Sequence, residues 1–487
     1  MEKKKLFQEA TLYSASLFIS RLLLSIRGII IPKFLGPVQY GIYNGLLLIP
    51  DFLVHFHFGS LSALKREIPF CYGKKDFIQA QRIRNIVFCH YMGSILIAVL
   101  LIFLFTLFFK DHYSSMVIYS LWLLCPLIVF QSLVDGFFEN LLRADNRFNI
   151  ISNSEIFKAL FGFILMIVMI WFWHIYGAIA SLLLALILKG VYILSKTDYK
   201  FSWVWDFIEL KRLLAIGFPI IFGLIMITFF NSIDRFVIIK YLDTRQLGYY
   251  SLGLTISKFL LIIQTGAYGV LEPKVYRLYG EKGEIGPLKN IIWEPLYFMS
   301  LFFPVILGLV YVGSPYLLYL FLPKYLPSLV CMQIMILGSF FFIFVDGTYT
   351  FIVAINRQGF IIKVIAIGIA VNLVINYLLV RWGWGIEGVA LGTTGVNMFI
   401  GLIYLVFTLN HFFKEFRQKI VMTIKLFSPF VLVGILVVFM DYFWPARGVL
   451  KQEIGMIVLK GFVLLVLSAP FLWTAKKKIK IFIGSGG

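Results

Sequence analysis

Apolar residues fall along this chain in blocks about twenty residues long, the length a helix needs to cross about 30 Å of hydrocarbon, and short polar stretches divide them. Each block predicts a transmembrane helix, about fourteen in all. They run 12–31, 38–57, 86–109, 115–137, 151–173 and 175–194, then 213–239, 247–270, 291–312, 330–352, 360–380 and 386–409, with two more at 424–440 and 454–473. The external connections are short, as between Pro32 and Val38, and leave no room for a soluble catalytic domain.

The pattern also repeats. Shifted by 207 residues, 25–53 lies without gaps on 232–260 with 12 identities in 29 positions, Lys33, Gln39 and Tyr43 among them. Apolar composition alone would give about three or four. Asn146-Arg147 recurs as Asn356-Arg357 at an offset of 210, and YGAIAS (176–181) echoes in GIEGVALG (385–392) at 211. Small loop insertions account for the changing offset. Six spans per copy is an even number, so both copies enter the membrane in the same direction and the repeats are parallel. The expected fold is an all-α polytopic membrane protein: an N-terminal six-helix lobe (1–195), an interfacial linker helix (196–212), a C-terminal six-helix lobe (213–410) and two additional helices (420–475). A symmetric pair of this kind places a polar chamber at the repeat interface.

Composition and charge add a setting. Hydrophobic residues are 60% of the chain and charged ones 14%, against about 25% charged in soluble domains. The net charge of +20 is explained by orientation. With a cytoplasmic N-terminus, about 28 of the 44 Lys and Arg lie in cytoplasmic segments, where they face an anionic leaflet; nucleic acid is not needed. Both termini are then cytoplasmic. The four cysteines lie far apart without a CxxC, so neither a disulfide framework nor a thiolate metal site is expected. No GxxxxGK[ST] occurs, so the chain does not hydrolyse nucleotide.

Charges inside the spans carry the chemistry, because each costs a few kcal/mol or more at the bilayer centre. Arg21 and Arg27 share the first span. A guanidinium stays charged and matches phosphate oxygens bidentately, so two of them point to an anionic cargo; ion pairing with neighbouring acids is the plainer alternative. In the second span Pro50 predicts a kink, and Asp51 and His55, four apart, share a helix face suited to proton or cation coupling. His55 and His57, two apart, diverge on a helix and make a poor metal pair. The 207-residue shift places Arg27 on Asp234 and Asp51 on Lys258. Equivalent positions thus carry opposite charges, and all four are expected to line the chamber. Elsewhere Asp135 and Glu139 share a face near the inner end of the fourth span, and Glu155 with Lys158 reads as an intrahelical pair. Lys189, Asp346 and Glu387 are single charges, and Asn372 with Asn376 reads as a helix-packing pair.

SRLLLSIRGIIIPKFLGPVQYGIYN (20–44), LSALKREIPFCYGKKD (61–76), LLRADNRF (141–148) and GIEGVALGTTGVN (385–397) resemble the multidrug/oligosaccharidyl-lipid/polysaccharide exporter superfamily, and within it the bacterial polysaccharide (O-antigen type) flippases. The resemblance implies two six-helix lobes forming a V around a central cavity, and transfer of lipid-linked sugar precursors between leaflets. The spacing of Arg21 and Arg27 is similar to a diphosphate-binding arginine pair in the lipid II flippases of that superfamily. Those usually carry an acid directly after the second arginine, where this chain has Gly28. The departure favours a polysaccharide-unit flippase.

The expected function is therefore export of undecaprenyl-diphosphate-linked oligosaccharide across a bacterial cytoplasmic membrane. Arg21, Arg27 and Lys258 would bind the headgroup, and Asp51, His55 and Asp234 would couple a gradient of H+ or Na+. No cofactor or resident metal is expected, and a polymerase of the same pathway is a possible partner. A cation-coupled multidrug antiporter is disfavoured by the cationic first span. An integral-membrane glycosyltransferase or polymerase is disfavoured because the first external loop, KFLGPVQ, has no acid.

Overall fold

The computed structural model describes residues 2–444 and 450–484; side chains are described from Ser20 onward, apart from residues 21, 25, 267, 270, 282, 450–454 and 475–484. The described residues contain no strand. They form two compact units, Met1–Ser232 and Ile233–Gly487.

The first unit holds α1 (Glu2–Leu46), α2 (Leu48–Leu53), α3 (Ser60–Gly73), α4 (Phe77–Phe109), α5 (Ser115–Gln131), α6 (Glu139–Ala144), α7 (Phe148–Ser195) and α8 (Phe207–Phe230), with a π-helical turn over Ser132–Phe138 joining α5 to α6. The second holds α9 (Ile233–Tyr241), α10 (Thr244–Lys282), α11 (Leu288–Phe321), α12 (Leu329–Gly338), α13 (Phe342–Ala354), α14 (Gln358–Arg381), α15 (Gly385–Phe412), α16 (Phe416–Phe443) and α17 (Leu450–Gly484).

Twelve helical stretches among the described residues are long and apolar enough to cross a membrane. Two of them are broken. α7 has 48 residues, about 70 Å of helix and more than twice the hydrocarbon thickness. His174 takes φ 46 inside it, and a Cβ on Gly177 would lie 2.0 Å from the Met169 carbonyl oxygen, so the chain folds back on itself there. α1 breaks likewise at Gly36, φ 69, directly before Pro37. Taken as pairs, these stretches supply the about fourteen segments the apolar blocks predict.

The repeated Asn-Arg has a backbone cause. Asn146 and Asn356 take φ 56 and φ 58, the left-handed conformation that asparagine tolerates better than other side chains. Arg147 N–H then returns to Leu142 O and Arg357 N–H to Ile352 O, both at about 3 Å. The changing offset, in contrast, is not all loop. Asp135-Gly136 falls on Asp346-Gly347 at 211 and Asn146-Arg147 on Asn356-Arg357 at 210, so the first copy carries one extra residue between them. That extra residue is absorbed in the π turn, since a π bulge is how a helix accommodates a single insertion.

The linker is not a helix. Residues 197–206 have no regular secondary structure, and α8 starts only after Asp206, whose side chain caps Glu209 N–H. The segment instead spends its polar groups on the first unit. Tyr199 donates to Asp145, which also receives Tyr72; Arg84 donates to Lys200 O at 3.2 Å, and Asn85 to Ser202 Oγ at 2.6 Å. Arg82 pairs with Asp206 and Arg212 with Glu67, and α8 packs on α3 and α4.

The two C-terminal helices pack on α11 through Val305, Val312, Val433, Val437, Met440 and Leu464. Lys460, 3% exposed, reaches Asp441 at 3.4 Å between them.

Candidate functional site

Arg27 sits in α1 two turns before the Gly36 break, 6% exposed. Its guanidinium donates to Ala178 O and Ser181 Oγ on α7, each at 3.2 Å, and to the Tyr43 hydroxyl. These oxygens are neutral, and Arg27 forms no ion pair among the described residues. The packing of α1 on α7 positions the group. A buried guanidinium held by neutral dipoles has no formal counter-charge among its hydrogen-bond partners.

The second unit repeats this node with the charge reversed. Asp234 on α9 is 3% exposed and accepts from the Tyr250 hydroxyl at 2.5 Å and from Arg235 N–H at 2.8 Å. Tyr250 is the 207-residue counterpart of Tyr43. Tyr250 also reaches Thr393 on α15, and Lys258 lies within electrostatic range of Asp234. Each copy therefore buries one charge against the tyrosine sixteen residues later, a base in the first and an acid in the second. The shared tyrosine was already visible as an identity in the repeat.

Arg21 lies in α1, and its side chain is outside the described residues. Asp51 is exposed at the end of α2, and Lys258 is exposed on α10. Asp51 and His55 do not share a helix face, which corrects the spacing argument. Pro50 has no N–H for Leu46 O, the chain breaks at Leu47, and α2 ends at Leu53. His55 lies in the turn that follows and pairs with Thr228 Oγ1 on α8 at 2.9 Å. His57 turns its Nδ1 to Gly59 N–H at 3.0 Å, so the two rings diverge as expected.

The fullest polar assembly was missed. Lys189, fully buried, makes ion pairs with Asp135 at 2.6 Å, with Glu139 at 3.0 Å and with Glu155. Lys158 adds Asp135 at 2.9 Å and Glu155 at 3.5 Å, and Arg143 pairs with Glu139. Each of these three acids thus has two basic partners. The three carboxylates lie within 4.8 Å of one another, close enough to hold a cation, and the Lys189 ammonium is that cation. Lys158 is therefore more than an intrahelical partner of Glu155, and Lys189 is not a lone charge. The sequence signal was three acids and two lysines at one depth on three adjacent spans.

Twelve helical stretches long and apolar enough to cross a membrane, a duplicated repeat and two added C-terminal helices define a multi-pass membrane protein. Residues 4–276, more than half of the chain, match the family of polysaccharide biosynthesis proteins, and the chain belongs to it. Across 82% of both chains it is 24% identical to the uncharacterized membrane protein MJ1068 of Methanocaldococcus jannaschii. Among solved structures, the fold matches the lipid II flippase MurJ in an inward closed conformation, with a TM-score of 0.71, 17% identity and coverage of 95% of this chain and 99% of that one. It also matches an inward-facing multidrug resistance MATE family transporter of the MOP superfamily, with a TM-score of 0.62, 13% identity and coverage of 85% and 95%.

Proposed function

We propose that this protein flips a polyprenyl-diphosphate-linked oligosaccharide, of the undecaprenyl type, from the inner to the outer leaflet of a bacterial cytoplasmic membrane by alternating access of its two units. The observation that carries the reading is Arg27, a buried guanidinium held by neutral oxygens in a member of a polysaccharide biosynthesis family. A diphosphate supplies the missing negative charge, and its oxygens suit the guanidinium fork. Arg21 and Lys258 add positive charge for the headgroup, while the lipid tail stays in the bilayer. Asp51, His55 and Asp234 couple the transfer to a gradient of protons or sodium ions. Both termini face the cytoplasm, and a polymerase takes up the exported unit.

The test is translocation of the lipid-linked oligosaccharide in proteoliposomes. Arg27→Ala and Arg21→Ala should each reduce the rate about tenfold or more, the loss expected when a charge-assisted contact goes. Full activity in both variants would overturn the reading.

A further inference from the structure

The acid of the buried network is present in both copies, but its lysines are not. Asp135-Gly136 becomes Asp346-Gly347 in α13, while Lys158 falls on Gly368 and Lys189 on Ile400 at the same offsets of 210 and 211. The register is sound on either side, since Ile151 and Ile361 are both buried core residues and Gly190 falls on Gly401. Unit one therefore neutralises this position with two tethered ammonium groups. Unit two has no lysine at either equivalent position.

A tyrosine covers this turn in both copies, but from helices that are not repeat equivalents, Tyr91 on α4 and Tyr268 on α10. A Cβ on Gly136 would lie 2.6 Å from the Tyr91 hydroxyl, and one on Gly347 would lie 2.9 Å from the Tyr268 hydroxyl. In each copy glycine lets a phenol from a neighbouring helix close over the acid's own turn. Tyr268 is 7% exposed, and its hydroxyl has no hydrogen-bond partner among the described residues. It lies within electrostatic range of Asp346. The half-buried Asp346 has no ion-pair partner among the described residues. The helices around it carry Glu272 and Tyr276 on α10, Glu294 on α11, Tyr404 on α15 and Tyr349 on α13 itself, and also the bases Lys258, Lys274 and Arg277 on α10 and Lys289 on α11, none of which forms an ion pair with Asp346 among the described residues.

An unneutralised carboxylate in a span is costly, and so is a buried hydroxyl with no partner. One small positive charge offsets both costs. We infer that Asp346 and Tyr268 form a site for a mobile monovalent cation, a proton or a sodium-sized ion, in the place that Lys189 fills permanently in the first unit. The carboxylate supplies the charge, and the Tyr268 oxygen is the second ligand, or accepts from the protonated acid. This rests on the proposed gradient coupling and adds a third carboxylate to it, one that titrates or binds in the second unit alone. At this one position the repeats then differ: the first holds its cation covalently, and the second exchanges it.

The experiment is ion-dependent thermal stability of the purified full chain. In one arm Na+ replaces N-methylglucamine at constant ionic strength; in the other the pH is lowered without Na+. One arm should raise the wild-type midpoint, identifying the ion. Asp346→Asn, which removes a charge and so leaves helix packing intact, should lower the apparent affinity for that ion about tenfold or more. Ile400→Lys installs the first unit's ammonium and should remove the response while keeping the higher midpoint; Tyr268→Phe should weaken it. An unchanged response in Asp346→Asn, or no response to either ion in the wild type, would overturn the site. Failure of wild-type translocation alongside an intact ion response would instead sink the flippase reading and leave this site standing.

Discussion

At the scale of single residues, the informative contrast is between Arg27 and Lys189. Both are buried cations in spans of the first unit, yet one is held by neutral oxygens and the other by three carboxylates. Coulomb energy in a poorly screened setting makes the second arrangement a fixed strut and leaves the first with an unmet charge. Lys189→Met would leave Asp135, Glu139 and Glu155 short of a counter-charge and should cost about 3–5 kcal/mol of stability. Because they share one network, Lys189→Met and Asp135→Asn should not be additive: the double variant should melt above the Lys189 single variant. Equal or additive losses would mean that the network carries no coupling. Arg27 was readable from sequence as a charge in a span. Its neutral partners were not, because Ala178 and Ser181 lie about 150 positions away and only the packing of α1 on α7 joins them.

At the scale of elements, the segment 196–206 shows where pattern reading failed. Trp203, Trp205 and Phe207 among charged residues look amphipathic, and the segment reads as a helix. It is not helical because its side chains and backbone are committed one by one to α4 and the Asp145 turn. Burial, and then hydrogen bonding to Asp145, push the Tyr72 phenol up to about 12 from 10.0. The folded state therefore holds this proton more tightly than the unfolded chain. Its contribution is complete below about pH 10 and disappears as the pH rises through about 12. Asp145→Ala should free the segment at neutral pH, seen as faster proteolysis within 196–206 and a changed tryptophan emission from Trp203 and Trp205. In the wild type the same emission change should appear only in that alkaline range. A wild-type rate of cleavage in Asp145→Ala would show that the latch contributes nothing. The π turn teaches the same lesson in reverse: the one-residue change in repeat offset was visible, but only the helix geometry showed that it sits inside a span and not in a loop.

At the scale of the whole molecule, the duplication, the helical class, the crossing count and the two added helices were all legible, because long apolar blocks and a gapless repeat survive without knowledge of packing. The charge reversal between Arg27 and Asp234 was legible too, and the structure adds that each is buried against the equivalent tyrosine. What stayed hidden was which charges meet, since ion pairs such as Lys189 with Asp135 depend on three-dimensional neighbours. The molecule emerges as two related helical units whose symmetry is broken chiefly by charge.

The claim at the centre is that a positive group in the first unit recognises a diphosphate. The most direct measurement compares, in one proteoliposome preparation, translocation of a diphosphate-linked oligosaccharide lipid with that of an uncharged lipid bearing the same sugars. The account predicts transfer of the diphosphate lipid at least about tenfold faster, with the difference lost in Arg27→Ala. Equal rates for the two lipids in the wild type would contradict it.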